Sequence, residues 1–155
     1  MVKFFYTNSP NQTRLFAKKL ARNLLDKKSS PFKKNQKAFI IGLVGDLGCG
    51  KTAFLQGFVR GLGIKEKITS PTFIILKKFS IPNSNFQYFY HIDCYRINRS
   101  KEILSLGLNE IIDNPQNIIA IEWVDKISKV LPKKFLLFEF QFVGKNKRKI
   151  IIKNL

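Results

Sequence analysis

The sequence predicts an α/β domain with a mixed, mainly parallel central sheet flanked by helices. Three observations predict it. Apolar strand-like runs alternate with segments of helical spacing. Residues Ala38–Val44 are almost uniformly apolar, as a strand buried on both faces is, and they lead through a glycine-rich octet into a helical pattern. Two pairs of strand-like segments, Phe73–Phe79 with Phe86–Cys94 and Phe135–Val143 with Arg148–Lys153, are joined by short polar stretches, so antiparallel pairs must share the sheet with parallel ones.

The elements follow in order. Val2–Tyr6 reads as a short first strand. Ser9 offers an N-cap and Pro10 suits the first helical position. Leu15, Phe16, Ala17, Leu20, Ala21, Leu24 and Leu25 then recur at helical spacing to about Asp26. Residues 27–37 read as a polar loop and Ala38–Val44 as the buried strand. After the octet, Thr52–Leu62 reads as a helix closed by Gly63. Thr69-Ser70-Pro71-Thr72 punctuates the chain, and Pro82-Asn83-Ser84-Asn85 turns the first strand pair. Ser100–Leu108 reads as one short helix, Ile118–Trp123 as a buried strand and Val124–Val130 as a helical turn. Gly144-Lys145-Asn146 turns the final pair. With no internal repeat, low-complexity tract or composition break, residues 1–155 read as a single domain.

Composition excludes several classes. The 155 residues are 45% apolar and 25% charged, enough for one ordinary core. No apolar run approaches the ~20 residues of a membrane span, and Met1–Thr7 lacks the apolar core and cleavage site of a signal peptide. A cytosolic protein with no membrane contact is expected. Cys49 and Cys94 are too few for a disulfide scaffold or a four-thiolate zinc site, so two free thiols are expected. The net charge is +18. It fits a nucleic-acid partner through phosphate neutralisation. It also fits a base-composition bias that raises Lys, Asn, Ile and Phe together and scatters lysines over every tolerant surface. Lys145, Lys147, Arg148 and Lys149 cluster more tightly, which suits either a binding patch or the solvated tip of a turn.

The octet Gly45-Asp46-Leu47-Gly48-Cys49-Gly50-Lys51-Thr52 fits the P-loop pattern at every fixed position. Its position between a buried strand and a helix is the one the mechanism needs. Gly45, Gly48 and Gly50 let backbone N–H groups turn inward around an anion, and the following helix adds the positive end of its dipole. Lys51 is expected to reach the β- and γ-phosphates, and Thr52 to offer its hydroxyl to Mg²⁺. The expected architecture is therefore a single P-loop NTPase-like domain that binds and hydrolyses a nucleoside triphosphate.

Such a site also needs a carboxylate. Asp93 and Glu122 each end an apolar strand-like run, at the edge where open α/β sheets bind ligands. The residues alone do not assign which binds metal and which handles the attacking water. His91 precedes Asp93 by two, so both face the same way on a strand. It suits a satisfied structural role or tuning of the acid.

The P-loop octet, Ser70-Pro71-Thr72-Phe73, His91-Ile92-Asp93-Cys94-Tyr95-Arg96, Leu106-Gly107-Leu108 with Glu110, and Ile121-Glu122-Trp123 occur in this order. Together they resemble the TsaE (YjeE) family, small bacterial ATPases of tRNA threonylcarbamoyladenosine biosynthesis. Asn11-Gln12-Thr13 and its helix are similar to that family's opening segment, so the resemblance covers nearly the whole chain and is looser after residue 124. It implies ATP as the nucleotide, held by Gly45, Gly48, Cys49, Gly50, Lys51 and Thr52. It implies Mg²⁺ on Thr52 and Glu122, with Asp93 and Lys51 serving hydrolysis. Thr13 is then expected near the base, Trp123 near the nucleotide, and Thr72 in a switch-like loop that senses the γ-phosphate. The implied partners are the TsaB and TsaD proteins, and the basic surface then faces either tRNA or an acidic patch on a partner. Cys49 stands where the family commonly has alanine, and Cys94 replaces a larger apolar residue.

Two rivals are weighed against this reading. A small P-loop kinase needs an arginine-bearing lid, for which Arg96 and Arg99 are the nearby candidates, and an acceptor pocket. A basic RNA-binding module would use the loop only as an anion site, but no RNA-fold signature is visible. A guanine-reading Asn-Lys-x-Asp motif is absent, since Asn146-Lys147 continues as Arg148-Lys149.

Overall fold

The computed structural model describes residues 2–26, 36–69 and 75–154. In chain order the elements are β1 (Val2–Thr7), α1 (Pro10–Leu25), β2 (Phe39–Val44), α2 (Lys51–Gly61), β3 (Leu76–Ser80), β4 (Tyr88–Asp93), α3 (Lys101–Leu104), α4 (Leu108–Asp113), β5 (Asn117–Glu122), a 3-10 helix (Val124–Val130), β6 (Leu136–Phe142) and β7 (Arg148–Asn154). The strands form one seven-stranded sheet in the order β1-β7-β6-β2-β5-β4-β3. Its centre is parallel, with β2 between β6 and β5, and β5 beside β4. The antiparallel pairs lie at the edges, β3 on β4 and β1 on β7 on β6. This is the mixed, mainly parallel α/β domain that the sequence predicts.

α1 starts where the cap chemistry dictates. The Ser9 hydroxyl accepts from the Gln12 amide, and Pro10, which has no N–H to leave unsatisfied, opens the helix. Ala17, Ala21 and Leu24 of α1 and Phe54, Phe58 and Val59 of α2 bury themselves against Phe39, Ile41, Leu43, Phe89 and Phe138 of the sheet. α1 and α2 approach backbone to backbone. A Cβ on Gly57 would stand 2.1 Å from the Arg14 carbonyl oxygen, and one on Gly61 2.4 Å from that of Lys18. On the other face, Ile103, Leu108, Ile112 and Ile127 cover Ile40, Ile92, Ile119 and Ile121. All six residues of β5 are buried, as expected of a strand covered on both faces.

Two local readings are corrected. The single helix expected over Ser100–Leu108 is two helices. Gly107, at φ 80° in the left-handed region, ends the turns after α3 and caps α4, which continues past the expected boundary to Asp113. β4 starts at Tyr88 rather than Phe86, because the Phe86 amide donates to the Ser84 hydroxyl of the turn instead of to a neighbouring strand. Ser70, Pro71, Thr72 and Phe73, and with them the expected switch-like loop and the start of its strand, lie outside the described residues. No helix among the described residues is long and apolar enough to cross a membrane.

Candidate active site

The parallel arrangement brings the C-terminal ends of β2, β4 and β5 to one edge of the sheet. β2 runs into the glycine loop, β4 ends on Asp93 and β5 on Glu122. Asp93 and Glu122 are register partners across β4 and β5, as are His91 and Ala120. Asp93, His91 and Glu122 therefore share the face on which α2 begins. A cleft of about 550 Å³ opens there. Thr13, Gly48, Gly50, Lys51, Thr52, Asp93, Glu122 and Trp123 all line it. Gly45 and Cys49 belong to the same loop but not to the cleft wall, and Thr72 lies outside the described residues.

The loop has the backbone an anion cradle needs. Gly48 and Gly50 sit at φ 76° and 110°, and Gly50 is the N-cap of α2 with no side chain to satisfy the first-turn amides. Those amides, with no acidic residue in the first turn, present donors and the positive dipole end toward the cleft. Gly45 is required for a different reason: a Cβ there would meet the Phe140 carbonyl oxygen at 2.6 Å and Cys49 Sγ at 2.7 Å. Lys51 is 5% exposed. Its ammonium donates to the carbonyls of Gly45 and Asp46, at 2.5 and 2.9 Å, and lies 4.6 Å from the centre of the Trp123 ring.

The acids differ in setting. Glu122 is buried, and its Oε1 accepts from Nε2 of fully buried His91 at 2.8 Å. An ionised carboxylate only accepts, so the imidazole proton sits on Nε2. His91 thus serves Glu122 rather than Asp93, while its Nδ1 has no partner among the described residues. Asp93 is half-buried, and its Oδ1 accepts from the Tyr95 amide at 2.9 Å. Burial raises the Asp93 pKa, the Tyr95 hydrogen bond opposes the rise, and the neighbouring Glu122 charge adds to it.

Thr13 is buried beside the cleft, its hydroxyl 2.8 Å from that of Thr7 at the end of β1. Trp123 takes φ 57°, a left-handed backbone that only glycine adopts freely. Its amide donates to the Leu43 carbonyl, and its ring lies 5.3 Å from that of Tyr95. Such a conformation, costing on the order of 1 kcal/mol, turns the ring over the cleft.

Sequence reasoning missed the wall supplied by the last hairpin. Asn146 and Arg148 line the cleft, together with Tyr95 and Arg96. Arg148 Nε donates to the Cys49 carbonyl at 3.1 Å and Nη2 to that of Gly48 at 3.4 Å, while the guanidinium lies over Phe142. The basic cluster at 145–149 was the available signal. What it lacked was the register that brings residue 148 to the loop.

Comparison with known proteins gives the family. The family model for "Threonylcarbamoyl adenosine biosynthesis protein TsaE" matches residues 7–150. The chain is 37% identical over 147 residues to the TsaE protein of Rickettsia typhi, covering 94% of this chain and 91% of that one. It is 38% identical over 111 residues to TsaE of Bacillus subtilis, covering 72% of this chain and 66% of that one. The crystal structure of Bacillus subtilis YdiB superposes with a TM-score of 0.72 at 29% identity, covering 98% of this chain and 84% of the other. The family model covers nearly the whole chain and the relatives match it over most of their own length, so the chain belongs to the TsaE family of tRNA threonylcarbamoyladenosine biosynthesis.

Proposed function

We propose that the chain binds ATP in this cleft and hydrolyses it with Mg²⁺, in support of the TsaB and TsaD proteins during tRNA threonylcarbamoylation. The observation that carries the reading is the convergence of the open N-terminus of α2, Lys51, Asp93 and Glu122 on one cleft. The loop amides and Lys51 bind the phosphates, and Lys51 exchanges its contacts with the Gly45 and Asp46 carbonyls for phosphate oxygens. Arg148, on the cleft wall, braces the loop through the Gly48 and Cys49 carbonyls.

The oxygen donors suit Mg²⁺, which takes one or two protein ligands and fills its shell with water and phosphate. Thr52 and Glu122 would hold it, His91 fixing the Glu122 carboxylate by its hydrogen bond. The ion when bound would neutralise charge on the transferring phosphoryl group. Asp93 would orient the attacking water and accept its proton. Trp123 and Tyr95 would cover the cleft against bulk solvent.

Purified protein titrated with a fluorescent ATP analogue should bind it, and Lys51→Ala should abolish that binding. Asp93→Ala should retain binding and lose phosphate release, measured alone and with TsaB and TsaD added. Normal hydrolysis by Asp93→Ala would remove Asp93 from this role, and transfer of the γ-phosphate to a metabolite instead of water would make the chain a kinase.

A further inference from the structure

The two faces of the sheet are not equally covered. α1 and α2 lie on one face, and α3, α4 and the 3-10 helix cover β4, β5 and β2 on the other. On that second face the register aligns Val2, Phe4 and Tyr6 of β1 with Lys153, Ile151 and Lys149 of β7, and these with Leu137, Glu139 and Gln141 of β6. Ile151 belongs to neither core cluster but is buried, 7% exposed, so the open part of this face is the row of β1 side chains beside it.

β1 reverses the usual pattern of a sheet that meets water. Its outward residues should be polar. Instead Val2, Phe4 and Tyr6 are 50%, 55% and 64% exposed, whereas Phe5, between them in sequence, turns to the helical face and packs its ring 4.7 Å from that of Phe16. Cations stand among the exposed rings. Lys149 Nζ lies 4.7 Å from the centre of the Phe4 ring, and Lys153 neutralises Glu139 at 2.7 Å.

We propose that this open face binds single-stranded RNA, with bases stacked on Phe4 and Tyr6 and phosphates met by Lys149 and the lysines of the β6–β7 turn. Two rings two residues apart on one strand stand about 6.8 Å apart along it, and alternate side chains point the same way. Flat rings beside flexible cations are how sequence-tolerant single-strand sites are built, since every base has a face to stack. Charge selects the occupant. A second copy of a chain with 28 basic and 10 acidic residues would be repelled. An apolar protein surface would bury the Lys149 ammonium without a partner. A polyanion that also stacks satisfies both the rings and the lysines. The family's role in tRNA modification brings an RNA within reach, and the platform touches the cleft: β1 ends on Thr7, bonded to Thr13, and β7 starts on Arg148, bonded to the glycine loop.

The test uses the full chain and two labelled probes, a 12-nucleotide oligouridine and an RNA duplex of equal length, followed by fluorescence anisotropy. The single strand should bind more tightly than the duplex. Phe4→Leu with Tyr6→Leu should weaken single-strand binding at least tenfold, leave nucleotide titrations unchanged, and remove ultraviolet crosslinks mapped to β1. Tyr6→Phe, which keeps the ring, should bind as the unaltered chain does. If the double variant melts early, Tyr6→Leu alone, at the most exposed of the three positions, carries the comparison. No binding by the unaltered chain overturns the proposal. So does undiminished binding in the leucine variants, and so does loss confined to Arg14→Glu with Lys18→Glu on the α1 surface, which would put the phosphates on the helical side. Retained RNA binding with loss of a captured protein partner would make the face a protein-docking surface. Loss of ATP binding by the unaltered chain would bear on the cleft alone, because the RNA measurement needs no nucleotide.

Discussion

Asp93 is the residue whose environment makes the sharpest demand. Burial and the nearby Glu122 charge raise its pKa above the ordinary aspartate value near 3.9, against the Tyr95 amide, which lowers it. For folding, the raised value means that the contribution of Asp93 to stability is fully present below the ordinary pKa and is lost as pH rises through the folded one. Catalysis has the opposite sign, because a residue that accepts a proton from water must be ionised. The acid limb of kcat/KM, which reports the free enzyme, should therefore lie above the ordinary aspartate value. Asp93→Asn should lower phosphate release by about 10²–10⁴-fold with nucleotide affinity nearly unchanged. A limb at the ordinary value would leave Asp93 outside the rate-determining protonation. The thiols should be inert: burial pushes Cys94 up to about 12 and raises Cys49 despite Lys51 at 3.6 Å. Iodoacetamide at neutral pH should label neither until denaturant is added, as mass spectrometry would read. Gly48, Lys51, Thr52, Asp93 and Glu122 were legible in the sequence because motif and strand-end position are local properties. The His91–Glu122 bond was not, because it joins neighbouring strands whose pairing no local pattern states.

Elements obey different rules, and here the helix pair is the informative case. Gly57 and Gly61 occupy the middle and end of α2, where alanine ordinarily stabilises by up to about 1 kcal/mol. The Arg14 and Lys18 carbonyls lie where those Cβ atoms would go, so the sign should reverse. Gly57→Ala should cost about 1–3 kcal/mol, a fall in Tm of several degrees for a domain of this size. A rise in Tm would show that α1 yields. The last hairpin offers a second test. Arg148→Met keeps an apolar stem over Phe142 but removes the donors to the Gly48 and Cys49 carbonyls. Nucleotide affinity by calorimetry should fall about tenfold, the scale of one hydrogen bond from a charged group. α1 was legible because its cap, its proline and its apolar stripe agree. The break at Gly107 was not, since a glycine inside a helical pattern reads equally as tolerated. Nor was the reach of Arg148, which depends on β7 lying between β1 and β6.

Across the whole molecule, charge is the least balanced quantity. With a net charge of +18, long-range self-repulsion opposes the compact state. Ion pairs among the described residues that offset it include Lys37 with Asp113 and Lys153 with Glu139. Exposed pairs contribute about 0–1 kcal/mol each. Added salt weakens both repulsion and pairing, but the many unpaired lysines make repulsion the larger loss. Shortening the screening length from about 30 Å at 0.01 M to about 8 Å at 0.15 M should therefore raise Tm. Anything this surface holds through phosphates should respond in reverse, its affinity falling steadily with the logarithm of salt concentration. Thermal melts and RNA anisotropy in the same sodium chloride series would read both slopes. A Tm that falls with salt would mean that the ion pairs dominate. RNA binding indifferent to salt would mean that the lysines are a composition effect spread evenly over the surface, with stacking alone holding the strand. Opposite slopes would mean that the excess charge costs stability and is used in binding.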